Sequence, residues 1–383
     1  MRAVYIGGLG LTPAGEHWET SLRELAFYAL EALAHDTEKN GLSGLQPGAL
    51  YVGNMLGGAL SHQAHLGALV ADFAGLRGLE AVTVEAAGAS GAAALRQAVL
   101  AVGSGAMDHA LVVGVEKMTD RVGAGVTAAA ATSADSDWES AHGATPAALA
   151  ALLMRRYFHE HGVGLKDFAN FSVNAHANAR TNPNAMFRNA ITPDAYVKAG
   201  MVVDPVNVFD TAPECDGAAA LLVTAEPGPV RVSASALATD TLAVHDRPDP
   251  LTFEAVHQST AKAYALAGVG PERIDVFELY DAYTIFSALS LEAAGFAERG
   301  QGWRLAADNA ISINGHIPVS TFGGLKARGN PGGATGVYQV AEVVLQLRGE
   351  AGANQVAGAS VGMAQALGGA GSTAVTHIFV RET

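Results

Sequence analysis

Apolar residues follow two periods along this chain. Short Val/Ile/Leu/Ala runs bounded by glycine predict strands, and apolar positions three or four apart predict helices. Ala3–Ile6, followed by Gly7, Gly8 and Gly10, predicts a strand and its turn, and Ser21–His35 a helix capped by Thr20 or Ser21. Leu50–Val52, Val82–Ala86 and Ala110–Val115 predict further strands; Val82–Ala86 reads as buried and feeds a Gly88–Val102 helix. Such alternation predicts a largely parallel sheet covered on both faces. The pattern lapses over about 119–227, where Gly, Ser, Asp and Asn are scattered around two helical stretches, Pro146–His161 and Leu165–Arg180. An insertion of that length predicts a helical lid over the first half.

Alternation resumes with strands at Val230–Leu237 and Val276–Leu279, and helices at Phe253–Ala267, Asp281–Ala294 and Thr335–Arg348. Strands at Val356–Ala359 and Ala374–Val380 are expected to close the chain. Both parts repeat one order of elements, and THIFVRE near the end echoes LVVGVEK in the first half. The predicted fold class is α/β, with duplicated halves: residues 1–229, including the lid, and residues 230–383.

A chain of 383 residues exceeds the roughly 250–300 at which a single core stops growing, which agrees with two halves. Hydrophobic residues are 49% and charged residues 16%, so part of the surface is expected to be covered by other subunits, as a homodimer or tetramer. The net charge of −14 argues against a nucleic-acid-binding face, and an anionic substrate needs a local positive patch. Cys215 is the only cysteine, which excludes an intrachain disulfide and a Cys-based zinc site. No metal is expected, since none of the 13 histidines has ligand spacing; His159 and His161, two apart on a helix, point apart. No 18-residue apolar run or signal-peptide pattern occurs, so no membrane association and a cytoplasmic location are expected.

The chemistry centres on VTVEAAGASGAAALRQAVLAV, residues 82–102. A strand ending in small residues and entering a helix presents backbone N–H groups and the positive end of the helix dipole to whatever lies above. This geometry suits a nucleophile on the elbow. The elbow residue is Gly88, which has no side chain.

VEAAGASGAAALRQA, ALVVGVEKMTD, ECDGAAALLV, ELYDAYT, GGLKARGNPGGATG and QALGGAGST together resemble, in order, the motifs of the thiolase superfamily. The branch resembled is that of archaeal-type acetyl-CoA acetyltransferases and sterol-carrier-protein-type thiolases. The resemblance spans nearly the whole chain and implies a five-layered α-β-α-β-α sandwich with a lid. It implies a catalytic Cys at the elbow, a His in a Gly-His-Pro motif and a His-Asn pair near the C-terminus. Those positions hold Gly88, Asn330, Gln365 and Ala366. Without a thiolate no acyl-enzyme forms, and without imidazoles no base titrates near neutrality at those positions.

Backbone N–H groups at Gly88, Gly368 and Gly369 remain as an oxyanion hole able to polarise a thioester, one such donor being worth about 3 kcal/mol. The resemblance places Tyr280, Asp281 and Tyr283 beside the substrate. Tyr280 or Tyr283 is the candidate acid/base, because thiolase-like aldolases lacking the Cys carry Tyr in that motif; the alternative is that both pack with satisfied hydroxyls. Cys215 reads as a buried thiol rather than a substitute nucleophile, Ser90 as a turn cap, and His316 as a turn residue. Arg155, Arg156, Arg188, Lys326 and Arg328 are the candidates for the coenzyme A phosphates, although a solvated helix face also explains Arg155 and Arg156.

The resemblance further implies an acyl-CoA substrate or ligand, no permanently bound cofactor, a place in lipid metabolism, and a small zinc-ribbon/OB-fold accessory protein. Three activities stay open: non-covalent aldol- or Claisen-like chemistry beside a thioester, a silent CoA-binding scaffold or shuttle, and ordinary acetyl-CoA acetyl transfer if Gly88 is not native. A single Cys→Gly change explains Gly88 but not Asn330 and Gln365.

Overall fold

The computed structural model describes residues 2–42 and 44–382. Its strands are β1 (Tyr5–Leu11), β2 (Ala49–Gly53), β3 (Glu80–Val84), β4 (His109–Glu116), β5 (Met201–Val203), β6 (Val206–Asn207), β7 (Gly217–Thr224), β8 (Val230–Thr239), β9 (Val276–Glu278), β10 (Val361–Gly368) and β11 (Thr373–Arg381). Nine of them form one sheet in the order β3-β2-β4-β7-β1-β8-β11-β10-β9, and β5 and β6 form a small hairpin in the lid. The halves meet at β1 and β8, through the Tyr5–Arg231 pair and a 2.8 Å bond from Val232 N–H to Val4 C=O. About that seam, β1-β7-β4-β2 mirrors β8-β11-β10-β9, which is the expected duplication. β11 therefore occupies the place of β7, not of β4 whose sequence it echoes.

The sheet is mixed rather than largely parallel. β2 runs parallel to β3 and β4, and β9 to β10, while the other ladders are antiparallel. The Ser90–Ser104 and Thr335–Arg348 helices pack together between the halves and form the middle layer. A Cβ on Gly336 would stand 2.5 Å from the Ala92 backbone nitrogen, so this crossing requires glycine. Leu22–Lys39 and Leu66–Phe73 cover the first half, and Glu254–Ala267 covers the second, completing five layers. Helix ends follow local chemistry: Ser21 and Glu24 form a capping box, and Thr145, Pro146 and a left-handed Gly162 bound the main lid helix.

Three further expectations change. β3 is not buried but forms the sheet edge, with Val82 49% exposed; a β-branched run serves an edge as well as a core. The strand expected at Val356–Ala359 is a turn, and the pairing strand is β10, VGMAQALG. The lid insertion ends at Asp216, because Gly217–Thr224 is strand β7. β7 and β10 are rich in Ala and Gly, so they lack the usual strand composition, yet both are buried along their whole length. Among the described residues, no helix is long and apolar enough to cross a membrane.

Candidate active site

At the elbow Ala87 adopts φ +50°. Ser90 ties the turn: its hydroxyl donates to the Ala87 carbonyl at 2.6 Å and accepts from the Ala86 N–H at 2.9 Å, so it is engaged rather than free to attack. Above the turn lies a cavity of about 80 Å³ lined by Gly88, Glu214, Tyr280, Tyr283, Asn330 and Gly369, among others. A Cβ on residue 88 would stand 2.7 Å from both the Leu367 carbonyl oxygen and Tyr280 Cζ, and closer still to the Tyr280 hydroxyl. The phenol of Tyr280 thus fills the space a nucleophile would use. Gly368 lies behind the turn, against the Ala86 carbonyl, so Gly88 and Gly369 alone of the three expected oxyanion-hole glycines line the cavity.

Asn330 holds its Oδ1 on the Thr335 hydroxyl at 2.9 Å, leaving its amide nitrogen for the cavity. Burial raises Tyr280 above the ordinary phenol range, with the Asp281 charge adding to the rise and a bond from Asn330 opposing it. Burial raises Tyr283 too, reinforced by Tyr280 and Glu214. Both tyrosines are therefore neutral hydrogen-bond donors at physiological pH.

Two candidate residues do not reach the cavity. Gln365 is fully buried on the far face of β10, where Nε2 donates to Thr260 Oγ1 and Thr376 Oγ1, both at 2.9 Å. Asp281 turns away to accept the Leu325 N–H at 2.7 Å.

The candidate phosphate-binding cations disperse. Lys326 is buried, donates to the Asp210 carbonyl at 2.7 Å, and is lowered by burial to about 8. Arg328 is 0% exposed; its Nε lies 2.9 Å from Glu342 Oε1 and its guanidinium covers the Tyr338 ring at 4.8 Å. Lys326 borders a groove of about 400 Å³ and Arg328 another of about 230 Å³, and neither lines the cavity at Gly88. Arg155 pairs with Asp204 on the surface, and Arg188 is exposed without lining a cavity with the others. Arg156 does line a groove of about 680 Å³, with Trp138, His142, His245, Arg247 and Arg299. Leu149 borders both this groove and the small cavity. Cys215 is buried against Gly329, with burial raising its thiol, and His316 is an exposed turn residue.

Glu214 opens the ECDGAAALLV motif, but that motif by itself assigns it no chemical role. Its only sequence signal is an acidic residue just before Cys215-Asp216-Gly217, where the lid returns to the sheet.

Family models agree with this architecture. Residues 4–227 match "Thiolase, N-terminal domain" and residues 236–381 match "Thiolase C-terminal domain-like". The chain belongs to the thiolase family. It is 42% identical to an acetyl-CoA acetyltransferase of Methanothermobacter thermautotrophicus over 100% of both chains. It is 32% identical to the benzoylsuccinyl-CoA thiolase subunit BbsB of Thauera aromatica, over 93% of this chain and 91% of that one. The solved Ltp2-ChsH2(DUF35) aldolase superposes with a TM-score of 0.84 at 26% identity, over 99% of this chain and 98% of that one.

Beneath the cavity of this thiolase-family chain, Glu116 ties two walls together. It accepts from Met55 N–H (2.9 Å), Leu56 N–H (3.0 Å), Gly333 N–H (2.9 Å) and Asn54 Nδ2 (2.8 Å). Burial pushes Glu116 up to about 7 against those four donors, and burial likewise lifts Glu342 to about 7 against Arg328. A carboxyl raised in the folded state stabilises fully below its unfolded value, and that contribution is lost as pH rises through the folded value. His377, lowered by burial to about 4, works oppositely, adding stability as pH rises from about 4 to 6.5. Glu278 and Asp281 are likewise raised by burial and His176 likewise lowered, so the raised carboxyls outnumber the lowered imidazoles and the melting temperature is expected to fall between pH 5 and pH 7.5. Thermal unfolding across that range checks this, and a rising profile contradicts it.

Proposed function

We propose that this chain binds an acyl-CoA thioester and makes or breaks a carbon–carbon bond beside it without a covalent acyl-enzyme, in an aldol-type reaction. The observation that carries the reading is the Tyr280 phenol standing where a nucleophilic side chain on residue 88 would lie. Acyl transfer needs an atom there that can attack, and a neutral phenol held by burial does not supply one. Tyr280, Tyr283 and the Asn330 amide are instead hydrogen-bond donors on one cavity, suited to holding a thioester carbonyl or a hydroxyl.

The adjoining groove suits the nucleotide end of coenzyme A. Trp138 is 67% exposed and offers a stacking surface, and Arg156, Arg247 and Arg299 bring positive charge into an acidic protein. Glu160 and Asp249 pair with Arg299, and Glu160 also pairs with Arg156, so the groove favours a phosphate able to displace a carboxylate. The aldolase that superposes on this chain is named with a second component, ChsH2(DUF35). A small accessory protein beside the groove is part of this proposal, as are a homo-oligomer, a cytoplasmic location, and coenzyme A as substrate rather than resident cofactor.

The test mixes the purified chain with acetyl-CoA and acetoacetyl-CoA by calorimetry, then assays thiolysis and cleavage of a series of 3-hydroxyacyl-CoA thioesters. Expected are binding, no thiolysis, and release of a carbonyl compound with a shortened acyl-CoA. Thiolysis would restore the acetyltransferase reading that the 42% identity favours. Binding without turnover would leave a scaffold or shuttle.

A further inference from the structure

The cavity holds one carboxylate. Among its lining residues, Glu214, Tyr280 and Tyr283 are the titratable ones. Glu214 sits on a short segment stitched to both motifs that build the site. On one side, the Asn330 N–H donates to the Pro213 carbonyl at 2.9 Å and the Cys215 N–H to the Asn330 carbonyl at 3.4 Å, placing Glu214 abreast of Asn330. On the other, the Ala212 N–H donates to the Ala282 carbonyl at 2.8 Å and Thr211 pairs with Tyr283.

The residues that follow Glu214 anchor the segment. Cys215 is 0% exposed, and the Asp216 carboxylate accepts from His17, Lys117, Met118 and Thr119. Glu214 alone of these three opens toward the cavity. A carboxylate on a backbone fixed at both ends, with the donors Asn330 and Tyr283 flanking it, is arranged for proton transfer rather than for packing.

Resting on the aldol reading above, we propose that Glu214 is the catalytic base and acid of this site, taking over the proton transfers that the absent imidazoles would perform. In the cleavage direction Glu214 takes the proton of the substrate 3-hydroxyl. The C2–C3 bond breaks, its electron pair moves onto the thioester as an enolate, and the C3 oxygen becomes a carbonyl. Glu214 then returns the proton to C2, releasing an acyl-CoA and an aldehyde or ketone. Atoms and electrons balance with no oxidant or cofactor. The titratable group that feels the Glu214 charge is Tyr283, and Tyr280 lines the same cavity; both are neutral, and Asn330, abreast of Glu214, carries no charge. Glu214 is exposed at the mouth of the cavity, and partial desolvation by the surrounding walls raises its carboxyl above the ordinary value.

The experiment compares wild type, Glu214→Gln and Glu214→Asp by two readouts. One is cleavage of 3-hydroxyacyl-CoA; the other is exchange of the C2 protons of acetyl-CoA and propionyl-CoA in D2O, followed by mass spectrometry. For Glu214→Gln, both rates are expected to fall about 10²- to 10³-fold, with acetyl-CoA affinity within about threefold of wild type and partial recovery in Glu214→Asp. Cleavage and exchange within threefold of wild type in Glu214→Gln overturn this proposal alone. Exchange that depends on Glu214 without cleavage of any hydroxyacyl-CoA supports Glu214 and overturns the aldol reading. A wild-type protein that shows neither rate overturns both.

Discussion

Placing a thiol on the elbow by Gly88→Cys is expected to give a protein with no thiolysis of acetoacetyl-CoA and no acetyl adduct after incubation with acetyl-CoA. The new Cβ meets the Leu367 carbonyl oxygen and Tyr280 Cζ at 2.7 Å each, and the first of these is backbone. Overpacking of this kind costs about 1–3 kcal/mol, read as a lower midpoint in chemical denaturation. Even a well-placed thiol would find the Asn330 amide in the same cavity, and an amide accepts no proton at neutral pH. The double variant Gly88→Cys with Tyr280→His removes the phenol from the crowded space and is expected to recover part of the lost stability. Acetylation of the introduced thiol in the single variant would show that the phenol yields readily and that the site accommodates covalent chemistry.

Asp216→Asn is expected to destabilise the fold by about 3–5 kcal/mol, the range for breaking a buried ion pair from one side. The Asp216 and Lys117 side chains are 0% and 4% exposed, and their charged atoms lie 2.7 Å apart. The same carboxylate accepts from the backbone of His17 (3.0 Å), Met118 (2.6 Å) and Thr119 (2.9 Å). An amide turns an N–H toward one of those donors and leaves Lys117 with half-exposed Asp120 as its partner. Burial works to raise Asp216, but these donors prevail and hold it below the usual carboxylate value. Its contribution is thus present above the unfolded pKa near 4 and lost as pH falls through the folded value. Met118 lines the cavity, so loss of this hub should also weaken acyl-CoA binding. Lys117→Met should cost less, since the backbone donors remain. Equal losses for the two variants would mean that the ion pair, not the hub, supplies the energy.

Much of the fold is legible locally. The Pro146–His161 and Thr335–Arg348 helices occupy their expected spans: Thr145 caps the first, and the left-handed glycines Gly162 and Gly349 end them through bonds within a few residues. β7 and β10 are not legible in this way, since their Ala and Gly are selected by the close approach of helices from elsewhere in the chain.

The site divides in the same way. By itself the sequence determined that residue 88 has no side chain and residue 330 an amide, because those are statements of residue identity; that they stand at a nucleophile and a base position is what the motif resemblance implies. Only the tertiary structure decided which polar residues meet. A one-residue step along β10 sends Gln365 to the far face, since strand side chains alternate. The turn after β9 carries Asp281 inward to Leu325 and leaves Tyr280 beside Gly88. Burial leaves Lys326 and Arg328 2% and 0% exposed, on grooves other than the Gly88 cavity. Glu214, 126 positions from Gly88 in the sequence, lines the same cavity because two backbone ladders lay its segment between the tyrosine turn and Asn330.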